Sequence, residues 1–130
     1  VHRQLHVDAR RAEERMFTTP RFLQGIVPFE GRGLDAPFPL GPAFSYVVPA
    51  GVTAQPLYFR GGNSTDELIC LILQRDGAPM RFFPIGARGS VHVPLRVVED
   101  LAPATRIELH LAAPAGLLGT LVADVGIIEL

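Results

Sequence analysis

The chain has 130 residues, 48% hydrophobic and 19% charged, enough for one ordinary domain and too apolar for a disordered polyampholyte. Thirteen glycines and twelve prolines argue against a helical bundle. A formal net charge of −1 removes the electrostatic case for nucleic acid or an anionic membrane as a partner.

Segment 1–19 reads as a polar N-terminal tail, either disordered or carrying a short helix over about 6–15. It holds Arg3, Arg10, Arg11 and Arg15 with Asp8, Glu13 and Glu14, and no apolar core of a signal peptide, so the expected compartment is the cytoplasm. The composition shifts near Met16, where the native domain is expected to begin, and the folded domain is placed at 20–130. Prolines at 20, 28, 37, 39 and 42 allow short edge strands such as 22–27, joined by the Gly31-Arg32-Gly33 turn, and disfavour long central ones.

From Ser45 the strand signal is clear. Residues 45–48 form a run stopped by Pro49-Ala50-Gly51, and over 56–60 Leu57 and Phe59 alternate with Tyr58 and Arg60. Gly61 to Asp66 reads as a loop. Residues 68–73 are apolar on both faces, which predicts a central strand with Cys70 buried as a structural thiol. Asp76-Gly77 predicts a hairpin to a strand over 80–85, and Gly86-Ala87-Arg88-Gly89 another turn. Val91, Val93 and Leu95 alternate with His92, Pro94 and Arg96, in a strand that Pro94 assigns to an edge. Residues 97–101 read as one helical turn, stopped by Pro103. Ile107, Leu109 and Leu111 alternate with Arg106, Glu108 and His110, and 120–130 is a closing β-branched run.

About seven to nine strands with turn signals every 8–12 positions predict an all-β fold, an antiparallel β-sandwich of jelly-roll type. Three segments carry a family likeness. They are the Pro49-Ala50-Gly51 turn leading to Tyr58-Phe59-Arg60, the leucine-rich strand running into Asp76-Gly77, and the closing stretch from Gly119 to Leu130. On these residues the region from about Tyr46 to Leu130 resembles the jelly-roll sandwich of the galactose-binding-like and carbohydrate-binding-module families. The resemblance implies that fold and a carbohydrate ligand. Such modules usually stack sugars on tryptophan or tyrosine, and here only Tyr46 and Tyr58 are available.

Strand parity selects the candidate ligand-binding residues. Tyr58 and Arg60, His92 and Arg96, and Arg106, Glu108 and His110 all point away from the apolar side of their strands. If the strands share one sheet, these residues form one patch rich in arginine and histidine, suited to a small polar or anionic ligand or to a protein partner. The same residues also read as the solvated outer face of a sandwich. His92, His110 and Glu108 are the conceivable metal ligands, but zinc-site spacing is absent and no cofactor is expected. Asp66 and Glu67 lack the ordered spacing of a calcium loop. Asn63-Ser64-Thr65 matches a glycosylation sequon and reads as chance. Ser90 and His92 would stand roughly 6–7 Å apart on one strand face, too far for a direct hydrogen bond, and no G-x-S-x-G elbow occurs.

No pattern supplies a catalytic motif, which weighs against an enzyme without deciding it. The leading expectation is a small non-catalytic binding or interaction module using the Arg/His face. The alternatives are a structural subunit forming a homo-oligomer through apolar sheet surface, and a carbohydrate-binding module. The uncharged stretch 36–59 is long enough to span a bilayer, but five prolines and two glycines break any helix there, so no membrane partner is expected.

Overall fold

The computed structural model describes residues 18–130. Most of the predicted tail, including its helix, lies outside the described residues, and a strand already begins at Thr19. In chain order the strands are β1 (Thr19–Glu30), β2 (Gly33–Pro39), β3 (Ser45–Val47), β4 (Ala54–Asn63), β5 (Ile69–Arg75), β6 (Ala78–Ile85), β7 (Ser90–Pro94), β8 (Arg106–Ala113) and β9 (Leu118–Glu129), with one 3-10 turn at Pro42–Phe44. They form two antiparallel sheets in a jelly-roll sandwich. One has the order β1-β9-β4-β7; the other is β2-β8-β5-β6, with β3 also paired to β8. No helix among the described residues is long and apolar enough to cross a membrane.

The inward residues of both sheets make one core. Phe59, Ile69, Leu71, Leu73, Ile85, Ile107, Leu109, Leu111, Leu121 and Val125 are fully enclosed. The Phe59 ring stacks on Phe83 across the sandwich, 4.3 Å between centroids and 8° from parallel. β5 is the apolar central strand expected, between β8 and β6. Asp76 and Gly77 both take positive φ (49° and 83°), which the tight two-residue hairpin requires. Pro94 ends β7, an edge strand as expected.

Several expectations are corrected. β1 is 12 residues long rather than short, though it does lie at an edge. Pro20 and Pro28 share strand parity, so both nitrogens can point away from β9 and cost the ladder nothing. Residues 97–101 form no helical turn. The chain bends at Val97 and carries no regular structure over 98–100, and Leu101 exchanges backbone hydrogen bonds with Ala54 at 3.0 and 2.8 Å. Cys70 is only half-buried, because it lies on the outer side of β5 opposite Pro84 and Ala112. In β4 the register shifts between Pro56 and Tyr58, so Leu57 sits on a bulge, 39% exposed, and does not share the buried side with Phe59.

The predicted 61–66 loop is shorter than expected, since β4 continues through Gly61, Gly62 and Asn63. The reason is packing. A Cβ on Gly61 would stand 2.7 Å from both Ile85 Cδ1 and the Phe59 ring. Only glycine fills this inward position, and a turn residue here serves as a core residue. Gly61→Ala is expected to lower stability by about 1–3 kcal/mol through overpacking. Urea denaturation checks this, and an unchanged midpoint would remove the packing explanation.

Candidate binding face

The seven predicted site residues do not form one patch. Tyr58, Arg60 and His92 lie on the outside of the four-stranded sheet, on β4 and β7. Arg106, Glu108 and His110 lie on β8, in the opposite sheet. Arg96 is exposed two residues beyond the end of β7. Parity assigned the outward side of each strand correctly, but which strands share a sheet depends on long-range pairing that parity does not encode.

On the β8 face, His110 and Glu108 stand 3.9 Å apart. Glu108 pairs in register with Gln74, and His110 with Ile72, both largely covered. The conceivable metal set is divided, with His92 on the far side of the sandwich. Among the described residues no three histidine, cysteine or acidic side chains gather. In the 64–68 loop, Asp66 is ion-paired with Arg88, whose guanidinium pulls the Asp66 carboxyl below its usual range.

The outer face of the four-stranded sheet has more structure. Reading across β1, β9, β4 and β7, one row is Phe22, Gly126, Tyr58 and Pro94. The next is Gln24, Asp124, Arg60 and His92, and the third is Ile26, Val122, Gly62 and Ser90. A polar row thus runs across the sheet between rows with exposed Phe22, Ile26 and Val122.

Tyr58 organises this face. Its ring occupies the space that a Cβ on Gly126 would need, so the missing side chain there is what lets the ring lie down on β9. The Tyr58 hydroxyl reaches both carboxylate oxygens of Asp124 at 3.2 Å. Burial, then the Asp124 carboxylate, push the Tyr58 phenol up, so it stays protonated and donates. The Arg60 guanidinium lies 4.9 Å from the Tyr58 ring centroid, in a cation–π contact. The His92 ring meets Tyr58 edge-on at 6.0 Å and 86°. Asp124 is the member that sequence reading missed. Its signal was present, since Val122 and Asp124 alternate with the buried Leu121, Ala123 and Val125.

Beside the polar row is an open depression of about 510 Å³, lined by Arg60, Gly61, Gly62, Ser90, Val91, His92, Val122 and Asp124. It exists because Gly62 presents no side chain between Val122 and Ser90. Ser90 and His92 both border it, and no hydrogen bond joins the two side chains.

No protein-family model matches the sequence, and comparison with curated proteins finds no match. Solved structures share the fold. The CBM36-1 domain of a multidomain xylanase from the hindgut metagenome of Trinervitermes trinervoides superposes with a TM-score of 0.52 at 15% identity, over 85% of this chain and 96% of that domain. A chain of infectious bursal disease virus, Gx strain, superposes with a TM-score of 0.50 at 13% identity, over 85% of this chain and 31% of the viral one. These likenesses establish the jelly-roll architecture expected from the sequence.

Proposed function

We propose that this chain is a non-catalytic binding module that seats a saccharide on the outer face of its four-stranded sheet. The observation that carries this reading is the row Asp124, Arg60 and His92 bordering the Gly62 depression. It offers an acceptor and two donor groups at cross-strand spacings of about 5 Å. Hydroxyl-rich ligands need donors and acceptors side by side, with an apolar surface for their C–H groups, which Val122 supplies here. A volume of about 510 Å³ suits one or two sugar rings. The shared fold with a domain designated as a carbohydrate-binding module agrees with the reading.

An NMR titration with neutral and acidic oligosaccharides tests the proposal. Backbone shifts are expected at residues 61–62, 90–92 and 122–124. The affinity is expected on the order of 0.1–1 mM, since the site is open to solvent. Asp124→Ala is expected to weaken binding about tenfold by removing the acceptor and untying Tyr58. Shifts confined to the β8 face around His110, or none with any sugar, would reject this site.

A further inference from the structure

The charge pattern of the same face narrows its ligand, and the following step rests on the binding reading above. We infer that the saccharide bound here carries a carboxylate, held by Arg60 and His92 on the β4–β7 side of the depression.

Arg60 makes no ion pair among the described residues. Arg32, Arg96 and Arg106 share that state, whereas Arg21, Arg75, Arg81 and Arg88 are paired; what sets Arg60 apart is the acid beside it. Its lack of a partner is not for want of a nearby acid, because Asp124 is directly opposite it in register on β9. Asp124 is instead taken by the Tyr58 hydroxyl, which touches both of its oxygens. The Tyr58 ring meanwhile supports the guanidinium at 4.9 Å. Stacking on a ring covers one face of the guanidinium and leaves its in-plane N–H groups available. That is the fork geometry that grips a carboxylate with two parallel hydrogen bonds.

Position across the sheet sets the polarity of the site. The order β9, β4, β7 puts Arg60 between Asp124 and His92. Donor groups therefore stand on the β4–β7 side and the acceptor on the β9 side. A ligand carboxylate near Arg60 and His92 is kept apart from the Asp124 carboxylate, while that carboxylate accepts from ligand hydroxyls. A neutral sugar satisfies Asp124 but leaves the guanidinium without an anion. A hexuronate satisfies both. Ser90 on the rim and Val122 on the floor complete contacts that either sugar would make.

The test compares a glucuronate-containing disaccharide with its matched neutral glucose counterpart, using isothermal titration calorimetry on the wild-type chain and on Arg60→Gln. Wild type is expected to favour the acidic sugar about tenfold or more. Arg60→Gln is expected to weaken binding of both sugars, the acidic one about tenfold more than the neutral one, and so to remove that preference. Its fold is verified by an unchanged amide spectrum away from the face. The preference in wild type should also shrink as salt rises, since the pair is exposed. Equal binding of the two sugars by wild type would overturn the inference and leave the binding reading standing. A preference that survives in Arg60→Gln would overturn it as well. Binding of neither sugar would reject both.

Discussion

Asn63→Asp, a change of one amide to a carboxylate, is expected to destabilise the domain by about 3–5 kcal/mol near neutral pH. Asn63 is 5% exposed at the end of β4. Its side-chain nitrogen donates to the carbonyl oxygens of Glu67 at 2.8 Å, Ile85 at 3.2 Å and Gly86 at 3.1 Å. Two N–H groups serve three acceptors, so one bond is shared. Its oxygen accepts from the Thr65 amide at 2.9 Å and the Thr65 hydroxyl at 2.8 Å. The side chain therefore ties β4 to the 64–68 loop and to the end of β6.

Aspartate keeps the shape but points an acceptor at three carbonyl oxygens. The ionised form is then opposed by burial and by those dipoles, so the introduced carboxyl has its folded-state pKa raised above the unfolded value of about 4. A raised acid pKa means that the folded state holds the proton longer. The deficit relative to wild type thus grows as pH rises through about 4 and shrinks in acid. Urea denaturation of both proteins across that range measures it. A midpoint near neutral pH equal to that of wild type would falsify the account. Asn63→Ala, which leaves the same carbonyls and Thr65 without partners, is expected to lose a comparable amount at every pH. The same geometry explains the sequon. Its asparagine has both polar atoms committed to the fold, so the Asn-x-Thr pattern here encodes a loop tie.

How much of this was readable in advance depends on the range of the interaction. Local pattern supplied the central position of β5, the Asp76-Gly77 hairpin, the edge character of β7 and the outward sides of β4, β7 and β8. Each follows from neighbours within a few residues. Three features escaped because they are set across the sandwich. Gly61 and Gly62 looked like loop residues, yet Gly61 is glycine because Phe59 and Ile85 fill its side-chain space. Gly126 looked like an interruption in β9, yet it is the bed for the Tyr58 ring. The bulge at Leu57 broke an alternation that the sequence carried without a flaw. The predicted patch divides between the two sheets for the same reason. Tyr58, Arg60 and His92 come together through the β4–β7 register, whereas β8 carries Arg106, Glu108 and His110 into the other sheet. Sheet membership is the non-local variable, and the candidate face became definite only when Asp124 on β9 was brought beside Arg60.

Tyr46→Phe is expected to cost about 1.5–3 kcal/mol, with a Tm decrease of roughly 5–15 °C. Glu129, near the end of β9, is only 6% exposed and faces into one end of the sandwich. The Tyr46 hydroxyl on β3 donates to one of its carboxylate oxygens, and Arg21 Nε on β1 lies 3.3 Å from the other. One buried carboxylate therefore joins three strands drawn from both sheets. Removing the phenol leaves a charged acceptor enclosed without its donor, which is more costly than the bond itself is worth. Glu129→Gln, which keeps an acceptor for Tyr46 and gives up the charge, is expected to cost less than Tyr46→Phe.

The pair also dictates the alkaline limb of stability. Burial, then the hydrogen bond to Glu129 and its negative charge, push the Tyr46 phenol well above its ordinary value. Above about pH 10 the unfolded chain releases this proton while the folded protein keeps it. The folded state then binds more protons than the unfolded state, so stability falls as pH rises from that point. Tyr58 adds in the same direction, because its phenol is raised as well. The contribution of Tyr46 is isolated by comparing wild type with Tyr46→Phe in urea between about pH 8 and 11. The gap between the two proteins should be constant below pH 10 and narrow above it. A gap that stays constant through the whole range would mean that Glu129 does not hold the proton on Tyr46, and the carboxylate would then join only β1 and β9 of one sheet, through Arg21.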